Sequence, residues 1–143
     1  IRDVERSRGL GDVYKRQKLS TSTVIERIKK LENSGVIKGY AAIIVPEKLG
    51  KDVTALISVA IDHPKFNDGF VAAVKDNRHI AECLYIAGEF DYFLKVVTDN
   101  TKTLESVLNE IKSIPGVSKT QTSIVLSSPK NEYSVPIKAK KEK

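Results

Sequence analysis

The order of hydrophobic patterns from residue 52 onward constrains this chain more than any other feature. The segment DVTALISVAI (52–61) alternates apolar residues on one face, which is typical of a strand. A short helix, two strands, a second helix and a final strand at 117–126 follow. This β-α-β-β-α-β order is the split βαβ unit. It predicts an α+β fold with two helices on one face of a four-stranded antiparallel sheet.

The predicted boundaries follow from apolar spacing and turn residues. Phe66, Phe70 and Val74 mark the short helix. The two middle strands are predicted at 80–87 and 90–98, separated by Gly88 and Glu89, and the second helix is predicted at 101–113. Its inward residues are Leu104, Val107, Leu108 and Ile111.

The sheet face away from the helices is predicted to be apolar, with Leu56 and Ala60 in place of charges. A bare apolar sheet of this size usually marks an interface. A homodimer is the simplest way to cover it.

Composition limits the location and the redox state of the chain. The chain of 143 residues contains no apolar run that approaches the roughly 20 residues needed to span a bilayer. No membrane partner is therefore expected. Cys83 is the only cysteine, which excludes an intramolecular disulfide and fits a reducing compartment. We therefore expect a cytoplasmic protein in which Cys83 is a small core residue.

The sequence offers no catalytic constellation. His63 and His79 fall in predicted loops and have no metal-ligating residue at a suitable spacing. No glycine-rich phosphate loop and no serine-nucleophile elbow occurs. The sequence predicts neither an enzyme nor a metal or cofactor site.

The net charge of +6 is unevenly distributed. Residues 1–40 carry a net charge of +5, residues 41–129 carry −2 and the tail 130–143 carries +3. A polyanion is therefore expected to contact the ends of the chain. For the tail, with Lys138, Lys140, Lys141 and Lys143, the alternative is that lysines only keep the protein soluble.

A basic amphipathic helix is predicted at 19–34. Val24, Ile28 and Leu31 form its apolar stripe, Ser20 is a plausible N-cap, and Gly35 ends it. The hydroxyls and cations on its polar side suit a recognition helix in a DNA major groove. The alternative is an ordinary solvated surface helix. The candidate DNA contacts are Ser20, Thr21, Ser22, Thr23, Arg27, Lys29 and Lys30.

The predicted hairpin tip between the middle strands is the other unusual constellation. Its carboxylates can pair with the ammonium of a small zwitterion while glycine amides meet the ligand's carboxylate. A solvated hairpin turn is the alternative, and the residues alone favour it. The candidate effector residues are Ala87, Gly88, Glu89, Phe90 and Asp91.

Two segments of the sequence resemble the Lrp/AsnC (feast/famine) family of transcriptional regulators. LSTSTVIERIKKLENSGVIKGYAAIIVPEKLG (19–50) resembles the second half of the family's DNA-binding domain, and AGEFDYFLKV (87–96) resembles the turn of its ligand-sensing domain, which has a Gly-x-x-Asp signature. The resemblance implies part of a winged helix-turn-helix, followed by a ferredoxin-like domain that senses ligand and dimerises. The implied partners are double-stranded DNA, a small effector that is typically an amino acid, and further copies that form dimers, tetramers or octamers.

The resemblance also suggests a domain organisation. Residues 1–17 match nothing in the family and are interpreted as a non-homologous leader. Residues 18–50 are the remnant of the DNA-binding domain with a linker strand, 51–129 the effector and dimerisation domain, and 130–143 a basic tail. Without the family's opening helices, we expect this chain to bind specific DNA sites poorly.

Two alternatives remain. An RNA-binding module of the RRM type shares the β-α-β-β-α-β order, but its third strand requires a basic-glycine-aromatic run where this chain has GEFDYFLKV. A stand-alone amino-acid sensor or small enzyme would use residues 51–129 without DNA binding.

Overall fold

The computed structural model describes residues 20–136. The chain divides into two compact units, with the boundary between Ile44 and Val45. The predicted leader at 1–17 and the lysines from Lys138 onward lie outside the described residues. The domain boundary predicted at residue 50 stays a prediction.

The first unit contains one described helix, α1, at Thr21–Asn33. Ser20 is its N-cap as predicted, because its side chain accepts a hydrogen bond from the Thr23 amide at 3.3 Å. Val24 is buried on the apolar stripe. The segment predicted as extended at 36–45 pairs with no strand among residues 20–136.

The second unit confirms the predicted β-α-β-β-α-β order. A short 3₁₀ turn at Pro46–Leu49 precedes the first strand, and another at Pro64–Phe66 leads into the first helix of the unit. The elements are β1 Val53–Ile61, α2 Asn67–Asp76, β2 Ile80–Tyr85, β3 Tyr92–Thr98, α3 Thr101–Lys112 and β4 Val117–Ile124. The sheet has the order β2-β3-β1-β4, and every neighbouring pair is antiparallel.

The core lies between one sheet face and the two helices of this unit. Alternate residues of β1 and β3 point into it, so the period-2 pattern of the sequence is confirmed in both strands. Ile57, Leu94, Phe70 and Ile111 are fully buried there. The whole cluster contains Ala55, Ile57, Val59, Phe70, Val74, Tyr92, Leu94, Val96, Leu104, Val107 and Ile111.

The opposite sheet face differs in part from the prediction. Leu56 lies there as expected, but its register partner on β3 is Lys95, and Lys119 of β4 pairs with Ala60. The face is therefore apolar with interspersed charges rather than uncharged. The sequence pattern of β1 alone does not predict this face, because its charged residues belong to the neighbouring strands β3 and β4.

Strand β2 departs most from its predicted form. It ends at Tyr85 rather than 87, and Cys83 is exposed rather than buried in the core. β2 is an edge strand, and its register against β3 shifts between Ile80 and Glu82. Partial shielding of the sulfur still raises the pKa of the Cys83 thiol.

Within the described part of the chain, no helix is long and apolar enough to cross a membrane. Nor do residues 20–136 contain three histidine, cysteine or carboxylate side chains placed to hold a metal ion together.

Candidate functional site

The turn between β2 and β3 is longer than predicted and spans residues 86–91. Its base is fixed by two backbone hydrogen bonds. The Ile86 amide donates to the Asp91 carbonyl at 2.8 Å, and the Asp91 amide donates to the Val59 carbonyl of β1 at 2.9 Å. The turn is thus attached both to its own hairpin and to the end of the central strand β1.

The Asp91 side chain adds a third attachment. Its Oδ2 accepts a hydrogen bond from the Ile61 amide at 2.7 Å in a half-buried position. The register of β1 against β4 shifts between Ala60 and Ile61, so the ladder is irregular at this amide. One predicted effector carboxylate therefore serves first to position the turn.

The tip of the turn is open. Ala87, Gly88 and Glu89 are exposed, and Phe90 is half-buried. Among residues 20–136, no carbonyl or side chain accepts a hydrogen bond from the amides of residues 87–90. A Cβ added at Gly88 would meet no atom within 4 Å. The tip therefore presents backbone amides without acceptors among the described residues, and the space beside the Gly88 Cα is open.

Lys119 of β4 completes the charged surface of the turn. Its Nζ lies 3.4 Å from Glu89 Oε1 and 5.2 Å from the centre of the Phe90 ring. Both charged side chains are mostly exposed, so the pair contributes little to stability. The sequence analysis missed Lys119, because only the pairing of β4 with β1 brings it to a turn 30 residues away.

An aromatic cluster lies directly behind the turn. The Tyr92 ring packs in tilted arrangements, with its centroid 4.6 Å from that of Phe70 and 5.0 Å from that of Tyr85. Burial, together with Tyr85 and other nearby acidic groups, raises the pKa of the Tyr92 hydroxyl. Tyr92 therefore stays neutral at physiological pH.

Helix α1 is the other candidate surface. Thr21, Ser22, Arg27, Lys29 and Lys30 are exposed, and no acidic residue lies in the first turn.

Three of its predicted contacts also have local partners: Ser20 Oγ lies 2.7 Å from Thr23 Oγ1 and 3.3 Å from Ser22 Oγ, and it caps the helix. Glu26 lies four residues after Ser22 and therefore on the same side of the helix. It is an exposed acid and is not among the predicted DNA contacts. The seven predicted residues thus lie on one short helix and its N-cap, and six of them, all except Thr23, are exposed.

Comparison with known proteins identifies the family. A model of the Lrp/AsnC ligand-binding domain matches residues 54–135. The transcriptional regulator FL11 of Pyrococcus abyssi is 40% identical over 129 residues, covering 90% of this chain and 85% of FL11. The leucine-responsive regulatory protein of Salmonella typhimurium is 30% identical over 132 residues, covering 90% of this chain and 80% of that protein.

A solved structure agrees with these sequence relatives. The complex of a Neisseria meningitidis transcriptional regulator with L-Met superposes with a TM-score of 0.81 at 31% identity, covering 85% of this chain and 80% of that one. The fold and the family match thus define an Lrp/AsnC-type ligand-binding domain. The chain belongs to the Lrp/AsnC family of transcriptional regulators, whose members named here are regulators rather than enzymes.

Proposed function

We propose that this chain regulates transcription in response to an amino acid that binds at the turn 86–91, and that it contacts double-stranded DNA through α1. The observation that carries the effector assignment is the open tip of the turn, where the amides of residues 87–90 have no acceptor among residues 20–136. An amino acid matches this surface in charge. Its carboxylate accepts from backbone amides, and its ammonium pairs with Glu89.

The attachment of the turn supports the same assignment. Ile61 and Val59 fix Asp91 from β1, so the base of the turn is positioned independently of a ligand. A preorganised site loses less entropy on binding. The relatives named above include a leucine-responsive protein and one solved with L-Met, which makes an aliphatic amino acid or methionine the first choice of ligand.

An amide-resolved NMR titration of the full chain with leucine, methionine and a mixture of the other amino acids tests this assignment. We expect saturable shifts at residues 86–91 with at least one amino acid. Glu89→Gln removes the partner of the ammonium and is expected to weaken binding by about tenfold. The matched control is Glu105→Gln, which removes an exposed carboxylate from α3 and leaves the affinity unchanged. Saturable shifts elsewhere, or none with any amino acid, would contradict the assignment.

The DNA assignment rests on α1. Its exposed hydroxyls and cations suit base edges and phosphates, and the positive end of the helix dipole lies beside Ser20 without an acid to cancel it. The contribution of the segment before Ser20, and the expected weakness of specific DNA binding, stay predictions because residues 1–19 lie outside the described part of the chain.

The bare sheet face supports assembly. Both helices of the second unit pack on the core face, which leaves Leu56, Phe93 and Val97 half-exposed on the other face and Leu84 46% exposed. A second copy that packs its own sheet here would bury this apolar surface. The interspersed Lys95 and Glu82 are register partners across β2 and β3, so opposite charges lie on neighbouring strands of this face. We therefore propose a homodimer that assembles further into tetramers or octamers.

A further inference from the structure

A cationic cleft lies at the end of the sheet opposite the turn 86–91. It encloses about 380 Å³ and is lined by Lys51, Arg78, His79, Ala81, Val97 and Asp99. Lys51 precedes β1, Arg78 and His79 precede β2, and Asp99 follows β3. The effector turn instead joins the end of β2 to the start of β3, so the two sites are separated by the length of the sheet.

The charges in this cleft do not cancel. Lys51 Nζ and Asp99 Oδ1 form an ion pair at 2.6 Å. The hydrogen bond from Lys51, with smaller electrostatic contributions from Lys51, His79 and Arg78, lowers the pKa of the Asp99 carboxyl, so Asp99 stays ionised and its one negative charge faces the two cations Lys51 and Arg78. Arg78 makes no hydrogen bond or ion pair within residues 20–136. Its guanidinium is the excess charge of the cleft.

The backbone that carries Arg78 and His79 is rigidly held. The His79 amide donates to Asn77 Oδ1, and the His79 carbonyl accepts from the Val97 amide, both at 3.0 Å. Asn77 Nδ2 donates to Glu110 Oε2 of α3 at 2.7 Å. The imidazole of His79 has no hydrogen-bond partner in the described chain and remains available to a ligand.

Besides Asp99, two further acids lie in a neighbouring depression of about 450 Å³ that Arg78 and His79 also line. They are Asp76 and Glu110, and neither forms an ion pair with Arg78. Glu110 is engaged by the Asn77 amide group. These acids therefore leave the guanidinium unpaired.

We propose that this cleft binds a small oxyanion, either a phosphate group or a carboxylate, with Arg78 as the principal contact and His79 as a second donor. A guanidinium forms two parallel hydrogen bonds with either group, and the concave surface excludes part of the surrounding water. The concave shape and the ion pair inside it favour a small molecule over a DNA backbone, which needs an extended basic surface. This inference does not depend on the effector site.

The test is an amide-resolved NMR titration of the full chain with inorganic phosphate, and separately with acetate, each against chloride at constant ionic strength. We expect saturable shifts at residues 78–81 and 97–99 and none at 86–91. Saturation with phosphate identifies a phosphate group as the ligand, and saturation with acetate alone identifies a carboxylate.

Arg78→Gln is expected to weaken binding at least about tenfold, because the two charge-assisted hydrogen bonds are lost. Lys112→Gln, which removes an exposed cation from the last turn of α3, is expected to bind as the wild type does. The same spectra report whether each variant is folded, and His79→Gln replaces Arg78→Gln if that variant is not. The proposal would be overturned by shifts that never saturate or that spread over all cationic residues. Equal losses of affinity in Arg78→Gln and Lys112→Gln, or a response to a DNA duplex alone, would also overturn it.

Discussion

The carboxylate of Asp91 accepts a hydrogen bond from the backbone amide of Ile61 at 2.7 Å, across 30 residues of sequence. Through this bond and the one from its own amide to Val59, Asp91 ties the turn 86–91 to the end of the central strand. The candidate effector turn is thereby attached to β1 at the point where the pairing of β1 with β4 becomes irregular. The stability of the fold and the position of the exposed amides depend on the same side chain.

Asp91→Ala is expected to lower the free energy of unfolding by about 1–3 kcal/mol, because the half-buried Ile61 amide loses its acceptor. Urea unfolding followed by circular dichroism measures this change. The control is Glu89→Ala in the same turn, whose exposed side chain makes only a 3.4 Å ion pair, and it should change stability by no more than about 0.5 kcal/mol. Equal effects of the two substitutions would contradict a positioning role for Asp91.

Gly116→Ala is expected to destabilise the second unit by more than about 1 kcal/mol. Gly116 has a φ of +92°, and a Cβ there would lie 2.3 Å from Cγ of Phe66, so the aromatic ring would have to move. Thermal unfolding measures the effect.

Gly69→Ala is the matched control for Gly116→Ala. Gly69 lies in α2, and its added Cβ would meet nothing within 4 Å. Because alanine is the better helix former, this variant should be more stable than the wild type by about 0.5–1 kcal/mol. A Gly116→Ala protein as stable as the wild type would show that Phe66 does not pack as described.

The sequence predicted those features that depend on local periodicity. The alternation predicted in 52–61 is confirmed by the burial of Ala55, Ile57 and Val59, and the inward positions predicted for Val107 and Ile111 are confirmed as well. Ser20 was correctly predicted as a cap, because capping involves neighbours three residues apart.

The features that sequence analysis missed depend on contacts between distant segments. Cys83 was wrongly placed in the core, since a period-2 pattern cannot reveal that a strand lies at the edge of the sheet and is irregularly paired. The predicted turn residues were named without the attachment of Asp91 to Ile61 or the approach of Lys119, both of which require the strand register. The roles of the DNA and effector residues stay predictions.

The ion pair between Lys51 and Asp99 predicts a loss of stability in acid. The folded-state pKa of Asp99 is lowered, chiefly by the hydrogen bond from Lys51, so the unfolded chain binds the proton more readily. The contribution of Asp99 is therefore complete above its unfolded pKa of about 4 and is lost as the pH falls through the lower folded value.

Urea unfolding of the wild type and of Asp99→Asn across this pH range tests that prediction. The difference between the two proteins should be largest near neutrality and shrink toward acid pH. Asp52→Asn removes an exposed carboxylate beside the same strand and serves as the control. A difference between wild type and Asp99→Asn that does not vary with pH would contradict the prediction.

Lys29→Gln is expected to reduce the salt dependence of DNA binding, because a phosphate contact releases a counterion. With a duplex of arbitrary sequence, the slope of log affinity against log salt should fall by about one relative to the wild type. Fluorescence anisotropy measures both proteins over a series of salt concentrations. Lys112→Gln on α3 should keep the wild-type slope, and a Lys29→Gln protein with an unchanged slope would show that Lys29 does not contact phosphate.

The central claim is that the second unit assembles through its sheet and responds to an amino acid at the turn 86–91. Light scattering after size exclusion, with and without a mixture of amino acids, tests it most directly. The account predicts that the wild type forms a dimer or larger assembly whose mass or elution changes when amino acids are added. Leu84→Asp, which places a charge on the bare sheet face, should be a monomer. The control Ser106→Asp on α3 should assemble as the wild type does. A wild-type chain that stays monomeric in both conditions would contradict the account.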